Sequence, residues 1–184
     1  GMAFVVGAVG NGMLGSRRAG YMLFLIQTVL SIVFILLFCR SKSAAAVLPV
    51  RAKKESLSHA LVASVSAAGG AMLAVCAFIA FFGAAADMIC LVFPSVPPLL
   101  RAVICSFFEI SRGCAEFSGA AELSPLLRYV GVAFALGFSG VSVACQISER
   151  AGEISLSILP YLAKKLIFGL AMAASGGIFA IFVL

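Results

Sequence analysis

Charged side chains are scarce in this sequence of 184 residues. Asp, Glu, Lys and Arg together make up 11% of the chain, whereas 63% of it is hydrophobic. A soluble domain has roughly 25% charged residues, and long apolar runs are typical of segments that span a membrane. The composition therefore excludes an ordinary soluble domain and predicts an integral membrane protein.

The residue sets that carry catalysis or hold metals are also missing from the sequence. Its one histidine, His59, abuts a basic loop, and we interpret it as a membrane-interface residue. The six cysteines contain no Cys-x-x-Cys pair and fall mostly inside apolar runs, which favours packing over metal binding. There is neither a Ser/His/Asp motif nor a phosphate-binding Gly-Lys-Ser/Thr loop. We therefore expect a non-enzyme with no cofactor and no bound metal.

The positive charge of the chain comes largely from one hydrophilic stretch, residues 40–58. Its basic residues, opposed by Glu55 alone, are Arg40, Lys42, Arg51, Lys53 and Lys54. A short loop with this many positive charges is predicted to lie on the cytoplasmic side, where anionic lipid attracts it. No nucleic-acid partner is expected, because the basic residues are not interleaved with aromatic ones on a polar surface.

The apolar segments on both sides of this loop predict an all-α, polytopic transmembrane helical bundle with glycine-broken or re-entrant helices. Residues 2–15 are too short for a span of about 20 residues and contain four glycines, so residues 1–39 are predicted to hold a broken helix and a first full span. Residues 40–58 form the cytoplasmic loop, and residues 59–184 the C-terminal bundle. Because the chain begins within apolar sequence, without a basic segment before it, we expect a fragment or half of a split protein.

Charges also occur inside the apolar segment 98–118, at Arg101, Glu109, Arg112 and Glu116. On a continuous helix all four would share one face, and Arg112 could pair with Glu109 or with Glu116. Charges in a membrane usually face the bundle interior or a cavity, which favours a functional face. The alternative is a helix end whose long side chains reach the interface. Two topologies are open: residues 88–118 form a re-entrant hairpin, which the charge distribution slightly favours, or they cross the membrane.

Two glycine-interrupted segments share a pattern, Ala-Phe-x-(Val/Leu)-Gly-x-x-Gly, at residues 3–10 and 133–140. Paired breaks of this kind are the sequence feature that points to the central site of a transporter. We therefore predict a binding site between the breaks at residues 3–12 and 137–146. The residues predicted to bind substrate are Gly10, Asn11, Glu109, Arg112, Ser139, Gly140 and Gln146.

The chain resembles the sporulation integral membrane protein YlbJ family, which belongs to the nucleoside-recognition (Gate) domain group. The resemblance rests on the glycine-rich residues 2–15, on Phe108-Glu109-Ile110-Ser111-Arg112-Gly113, and on residues 137–146 with 160–165. It covers about the second half of such a protein, and Ser139 stands where a glycine is expected. The predicted partners are membrane lipid, a small anionic substrate, and the missing N-terminal half or a second subunit.

This resemblance implies carriage of a small anionic metabolite, dipicolinate, across the bacterial cell membrane or a membrane around the forespore. A half-helix N-terminus and the guanidinium of Arg112 would suit a planar dicarboxylate. Two alternatives stay open: a structural or assembly protein of the sporulating cell, in which the charged and small residues only pack helices together, and a nucleoside carrier.

Overall fold

The computed structural model of the protein describes residues 1–38, 56–151 and 157–182, and these residues are almost entirely helical, with no strand among them. An N-terminal π-helix (Ala3–Met13) precedes seven α-helices. They are α1 (Arg17–Phe38), α2 (Leu57–Val92), α3 (Pro98–Phe108), α4 (Ile110–Gly119), α5 (Pro125–Phe138), α6 (Gly140–Ala151) and α7 (Ile158–Phe179), which a short 3-10 turn (Ala180–Phe182) extends. Most of the predicted basic loop lies outside the described residues. Ser56 caps α2 by accepting a hydrogen bond from the His59 amide.

Four of the helical stretches are long and apolar enough to cross a membrane, namely Arg17–Phe38, Leu57–Val92, Pro125–Arg150 and Ile158–Phe182. The predicted all-α transmembrane bundle is confirmed by these helices. The π-helix and α3 are apolar but too short to cross, because eleven residues rise only about 16 Å of a core about 30 Å thick.

The N-terminal π-helix folds back onto α1, as predicted for a broken or re-entrant segment. The reversal occurs at Gly15, whose φ of +64° lies in the left-handed region that glycine occupies without strain. Gly10 and Gly20 allow the two backbones to touch, since a Cβ atom at Gly20 would lie 2.8 Å from the Val6 Cα atom. The glycines of this segment therefore serve a close helix contact.

The segment that we treated as one helix over residues 98–118 is a hairpin. Glu109 has extended backbone angles (φ −148°, ψ 132°), which end α3 and begin α4. The two helices then run antiparallel: Arg101 Nε lies 3.1 Å from Glu116 Oε2, although the residues are 15 positions apart in the chain. Nearer the tip, a Cβ atom at Gly113 would lie 2.6 Å from the Ser106 Cα atom. Of the two arrangements left open, the structure has a hairpin, but over residues 98–119 and not 88–118, because residues 88–92 belong to the end of α2.

The centre of the molecule is the antiparallel pair of α5 and α7. Small residues bring these helices together, with Gly137 against Gly169 and Gly176 against Ala133. Around them lies one apolar core to which the π-helix, α1 and α4 also contribute; its fully buried members include Val9, Leu23, Cys114, Val132, Leu136 and Met172. Close helix contacts through glycine and alanine are typical of membrane proteins.

Helix α2, the longest of the described helices, packs mainly through its C-terminal part. There Ala86 and Cys90 lie against Cys105 of α3. Residues 57–73 are mostly exposed, and a Cβ atom at Gly70 would have no neighbour within 4 Å among the described residues. Ser66 and Gly70, which have the four-residue spacing of a small-residue packing face, therefore contact no described helix.

Candidate functional site

The tip of the α3–α4 hairpin touches the break between α5 and α6. A Cβ atom at Gly140, the first residue of α6, would lie 3.0 Å from the Phe108 carbonyl oxygen and 3.2 Å from the Glu109 amide nitrogen. Only a glycine allows the two backbones to come this close. Two interruptions of helical structure, far apart in sequence, thus form one contact, which we call the crossing and define by residues 106–109 and 137–142.

Glu109 forms the tip of the hairpin and has no exposed surface. Its Oε2 atom accepts a hydrogen bond of 2.8 Å from the Arg112 amide, so the carboxyl group caps the N-terminus of α4. The other oxygen, Oε1, is buried and has no hydrogen-bond partner among the described residues. Burying a carboxyl oxygen without a hydrogen-bond partner costs free energy. Buried, unpartnered carboxyl groups inside a membrane bundle are typical of sites that bind a ligand or an ion.

Ser139 creates the break on the other side of the crossing. Its φ of +70° is left-handed, an uncommon conformation for a residue with a side chain, and the chain leaves α5 there before Gly140 (φ +77°) begins α6. The hydroxyl of Ser139 donates to the Leu136 carbonyl oxygen at 3.2 Å. This bond to one of the last carbonyl groups of α5 helps serine to occupy a position where the resemblance led us to expect glycine.

Lys165 of α7 reaches the same break. Its Nζ atom donates to Ser139 Oγ at 3.2 Å and to the Gly137 carbonyl oxygen at 3.5 Å, and it lies 5.4 Å from the centre of the Phe168 ring. A lysine at the end of α5 is electrostatically favoured, because the C-terminal carbonyl groups of a helix carry partial negative charge. The crossing therefore has a cation on one side and the Glu109 carboxyl group on the other.

Two polar residues of α6 continue the site from the break. Ser142 has no exposed surface, and its hydroxyl accepts a hydrogen bond of 3.1 Å from Gln146 Nε2. Gln146 is half-buried and lies one and a half turns beyond Gly140. The structure thus places Glu109, Ser139 and Gly140 together at the crossing, with Gln146 along the helix that starts there.

Arg112 makes different contacts from those expected on a continuous helix. Its guanidinium group pairs with Asp87 of α2, while Glu116 pairs with Arg101 across the hairpin. The predicted side-chain pairs of Arg112 with Glu109 and Glu116 are wrong: the Glu109 carboxyl group caps α4 through the Arg112 amide, and Glu116 pairs with Arg101. Arg112 therefore ties the hairpin to α2, next to Gly83, and its predicted role in binding substrate has no support from these contacts.

Gly10 and Asn11 lie away from the crossing. Gly10 is buried against Gly20 of α1, and Asn11 is exposed on the π-helix. The π-helix packs on α1 and α4, whereas the hairpin tip contacts the Ser139–Gly140 break. We therefore correct the predicted pairing of breaks: the interruption opposite residues 137–146 is the one at Glu109.

Sequence reasoning did not identify three polar residues that the structure brings into or beside the crossing, namely Lys165, Ser106 and Ser142. Ser106 is fully buried and its hydroxyl donates to the Ala102 carbonyl oxygen. In the sequence analysis Lys165 enters only within residues 160–165, on which the resemblance rests. The sequence did contain a signal for Lys165, since a charged residue seven positions inside an apolar helix indicates a functional role.

The crossing gathers polar groups of the kind that a small polar solute would need. It combines carbonyl groups at the ends of α3 and α5, amide groups at the start of α6, one carboxyl group and one ammonium group. Among the described residues no group of His, Cys, Asp and Glu side chains could hold a metal ion. Binding would therefore rest on hydrogen bonds and on the two charges.

No family model, no curated protein and no solved structure matches this chain. The resemblance to the YlbJ family thus stays a prediction. A function is therefore inferred from the geometry of the crossing.

Proposed function

We propose that this protein is a multi-pass carrier that moves a small anionic metabolite across a cell membrane, with the substrate bound at the crossing. The observation that supports this proposal is the contact of a buried hairpin tip with a helix break. In hydrocarbon, irregular backbone is tolerated only where it is buried in protein or lines a cavity, and carriers place substrate sites at such breaks.

The depth of the crossing suits a carrier. From Pro98 to Glu109 the hairpin rises about 16 Å, which is about half of a hydrocarbon core about 30 Å thick. From Pro125 to Ser139, α5 covers a comparable distance of about 21 Å. Both breaks therefore fall near the middle of the membrane, where a site can be exposed to either side in turn.

The charges at the crossing favour an anion. The ammonium group of Lys165 can bind a carboxylate, and the free amide groups at the start of α6 add the positive end of a helix dipole. Gln146 and Ser142 can donate further hydrogen bonds along α6. The unpartnered Glu109 Oε1 atom can accept from a hydroxyl, amide or protonated group of the same substrate.

Dipicolinate is the substrate that we propose to test first, on the strength of the YlbJ-family resemblance, with a membrane of the sporulating cell as the location. Uridine serves as the comparison substrate, because the wider domain group is named for nucleosides. Excess unlabelled dipicolinate should suppress uptake of labelled dipicolinate, and excess uridine should not.

The experiment measures uptake of labelled dipicolinate into vesicles that contain the purified protein. Lys165→Gln should lower uptake about tenfold or more, since a hydrogen bond to a charged group is worth about 1.5–3 kcal/mol. Lys165→Arg should retain part of the uptake, because it keeps the charge. Arg18→Gln is the control, since Arg18 is an exposed basic residue near the opposite end of the bundle, and it should behave like the wild type. Equal uptake by all variants would reject the proposed site.

A structural or assembly role is the second candidate, and the exposed face of α2 favours it. Residues 57–73 make up about half of that helix and contact almost nothing among the described residues, so they are available to a neighbouring subunit. Under this alternative, Gly140→Ala would disturb assembly, measured by cross-linking in membranes, and no solute uptake would depend on Lys165.

A further inference from the structure

A second polar feature of the bundle is a groove between α1 and α7, with a volume of about 360 Å³. It meets the proposed substrate site only at Lys165. Its polar lining consists of Gln27, Ser31, Tyr161, Lys164 and Lys165. This grouping is unusual for a membrane helix pair, whose outer surface is otherwise apolar, as the exposed Leu25, Ile32 and Leu36 side chains show for α1.

The groove is positively charged. Lys165 points from it towards the α5–α6 break, while Lys164 is exposed and has no ion pair among the described residues. No carboxylate is among the described residues that line the groove. Basic pockets between membrane helices are the usual binding places for anionic lipid headgroups.

Tyr161 adds an unsatisfied hydrogen-bonding group to the groove. Its hydroxyl oxygen is buried and has no hydrogen-bond partner among the described residues. Burying a hydroxyl group without a hydrogen-bond partner has a cost in free energy. An acceptor oxygen held beside Lys164 would remove that cost, and a phosphate carries such oxygens.

The middle of the groove, between Lys164 of α7 and Ser31 of α1, is apolar. Phe34 of α1 and Phe168 of α7 meet edge to face, with ring centres 4.9 Å apart, and Ile35 lies beside them. The groove therefore joins a cationic, hydrogen-bonding end to a hydrocarbon-like middle. A free inorganic anion would use only the first of these, whereas a phospholipid would use both.

The position of the groove also fits the lipid leaflet that carries negative charge. Ser16 and Pro125 line one cavity, so α1 and α5 start on the same side, and α7 runs antiparallel to α5. Helix α7 therefore begins on the side where α1 ends, which is the side of the basic loop at residues 40–58. The positive-inside rule makes this the cytoplasmic side, and Lys165 lies about 10 Å into the membrane from the start of α7.

We propose that the α1–α7 groove binds the headgroup phosphate of an anionic phospholipid from the cytoplasmic leaflet. Lys164 and the Tyr161 hydroxyl donate to the phosphate oxygens, and an acyl chain lies against Phe34 and Phe168. This site shares Lys165 with the proposed substrate site, but lipid binding can be measured without a known substrate.

The test compares the thermal stability of the purified protein in detergent with added phosphatidylglycerol or phosphatidylcholine. Phosphatidylglycerol should raise the melting temperature more than phosphatidylcholine does, because a ligand of the folded state stabilises it. Lys164→Gln should weaken phosphatidylglycerol binding about fivefold, since each basic residue near the headgroups contributes about 1 kcal/mol. Tyr161→Phe should weaken it as well, while leaving the charge unchanged.

Arg150→Gln is the matched control. Arg150 is a basic residue at the end of α6 on the same side of the bundle, but it pairs with Glu149 and lies outside the groove. It should keep the full response to phosphatidylglycerol. Should Lys164→Gln fail to fold, Ser31→Phe provides a second variant that obstructs the groove from α1 without removing a charge.

Three outcomes would overturn the proposal. Equal stabilisation of the wild type and both groove variants by phosphatidylglycerol would place the lipid elsewhere. Stabilisation by inorganic phosphate as strong as that by the lipid would identify a soluble anion as the occupant. Equal stabilisation by the two lipids would show that the groove does not distinguish charge.

Discussion

At the scale of the residue, the crossing depends on Gly140. Its φ of +77° strains any residue with a Cβ atom, and that atom would lie 3.0–3.2 Å from three backbone atoms of the hairpin tip. We predict that Gly140→Ala lowers the free energy of unfolding by about 1–3 kcal/mol. Gly69→Ala is the control: its Cβ atom meets nothing within 4 Å, so the same change in a helix interior should be neutral or slightly stabilising. Urea unfolding in detergent measures both, and equal effects would contradict the close contact.

The ion pair between Arg112 and Asp87 is a second residue-scale feature, and it joins the hairpin to α2. Either Arg112→Gln or Asp87→Asn alone leaves one charge without its partner, so each should destabilise the protein. The double variant should lose less than the sum of the two, with a coupling energy of about 1 kcal/mol, because both side chains are about 40% exposed and the pair is partly solvated. Additive losses in a double-mutant cycle would show that the two residues do not interact.

At the scale of the element, the hairpin of α3 and α4 separates this structure from a simple span. Arg101 and Glu116 lie side by side in the hairpin, whereas on one continuous helix their 15-residue separation would amount to about 22 Å. Cysteines placed at residues 101 and 116 of a variant that lacks the native cysteines should therefore form a cross-link with a short thiol reagent. The product is detected by peptide mapping.

Residues 101 and 112 provide the control pair for the hairpin. On a continuous helix, residue 101 would be closer to residue 112 than to residue 116. In the hairpin, residue 101 is closer to residue 116, because Arg112 lies near the tip. The hairpin predicts faster cross-linking of 101 with 116 than of 101 with 112. The reverse order would contradict it.

The elements could largely be predicted from sequence, but their pairing could not. Apolar runs and prolines predicted the helices, the turn-back at the N-terminus and the start of α3 at Pro98. The break at Glu109 was missed because a glutamate is a good helix former and only its capping contact with Arg112 N–H reveals its role. Similar glycine patterns then suggested the wrong partner for Ser139 and Gly140, since a pattern records local backbone freedom and not which segments meet in space.

At the scale of the whole molecule, three distant parts of the chain converge on one place: the hairpin tip, the α5–α6 break and Lys165 of α7. Composition could predict a membrane bundle, because a chain with so many apolar residues is suited to fold in a lipid bilayer. It could not assign Lys165, whose charge served equally well as a topology signal. Convergence of this kind is what carrier function requires, and it is the central claim of this account.

The most direct test of that claim is a cross-link across the crossing. The rings of Phe107 and Phe138 stack with centres 6.1 Å apart, so cysteines at these positions should be joined rapidly by a short thiol reagent in membranes. Cysteines at residues 11 and 138 serve as the control, because the π-helix packs on α1 and α4. The account predicts a cross-link for 107 with 138, none for 11 with 138, and loss of dipicolinate uptake once the first pair is joined. It would be contradicted if the 107 and 138 thiols were both reactive but never joined, or if uptake continued after they were.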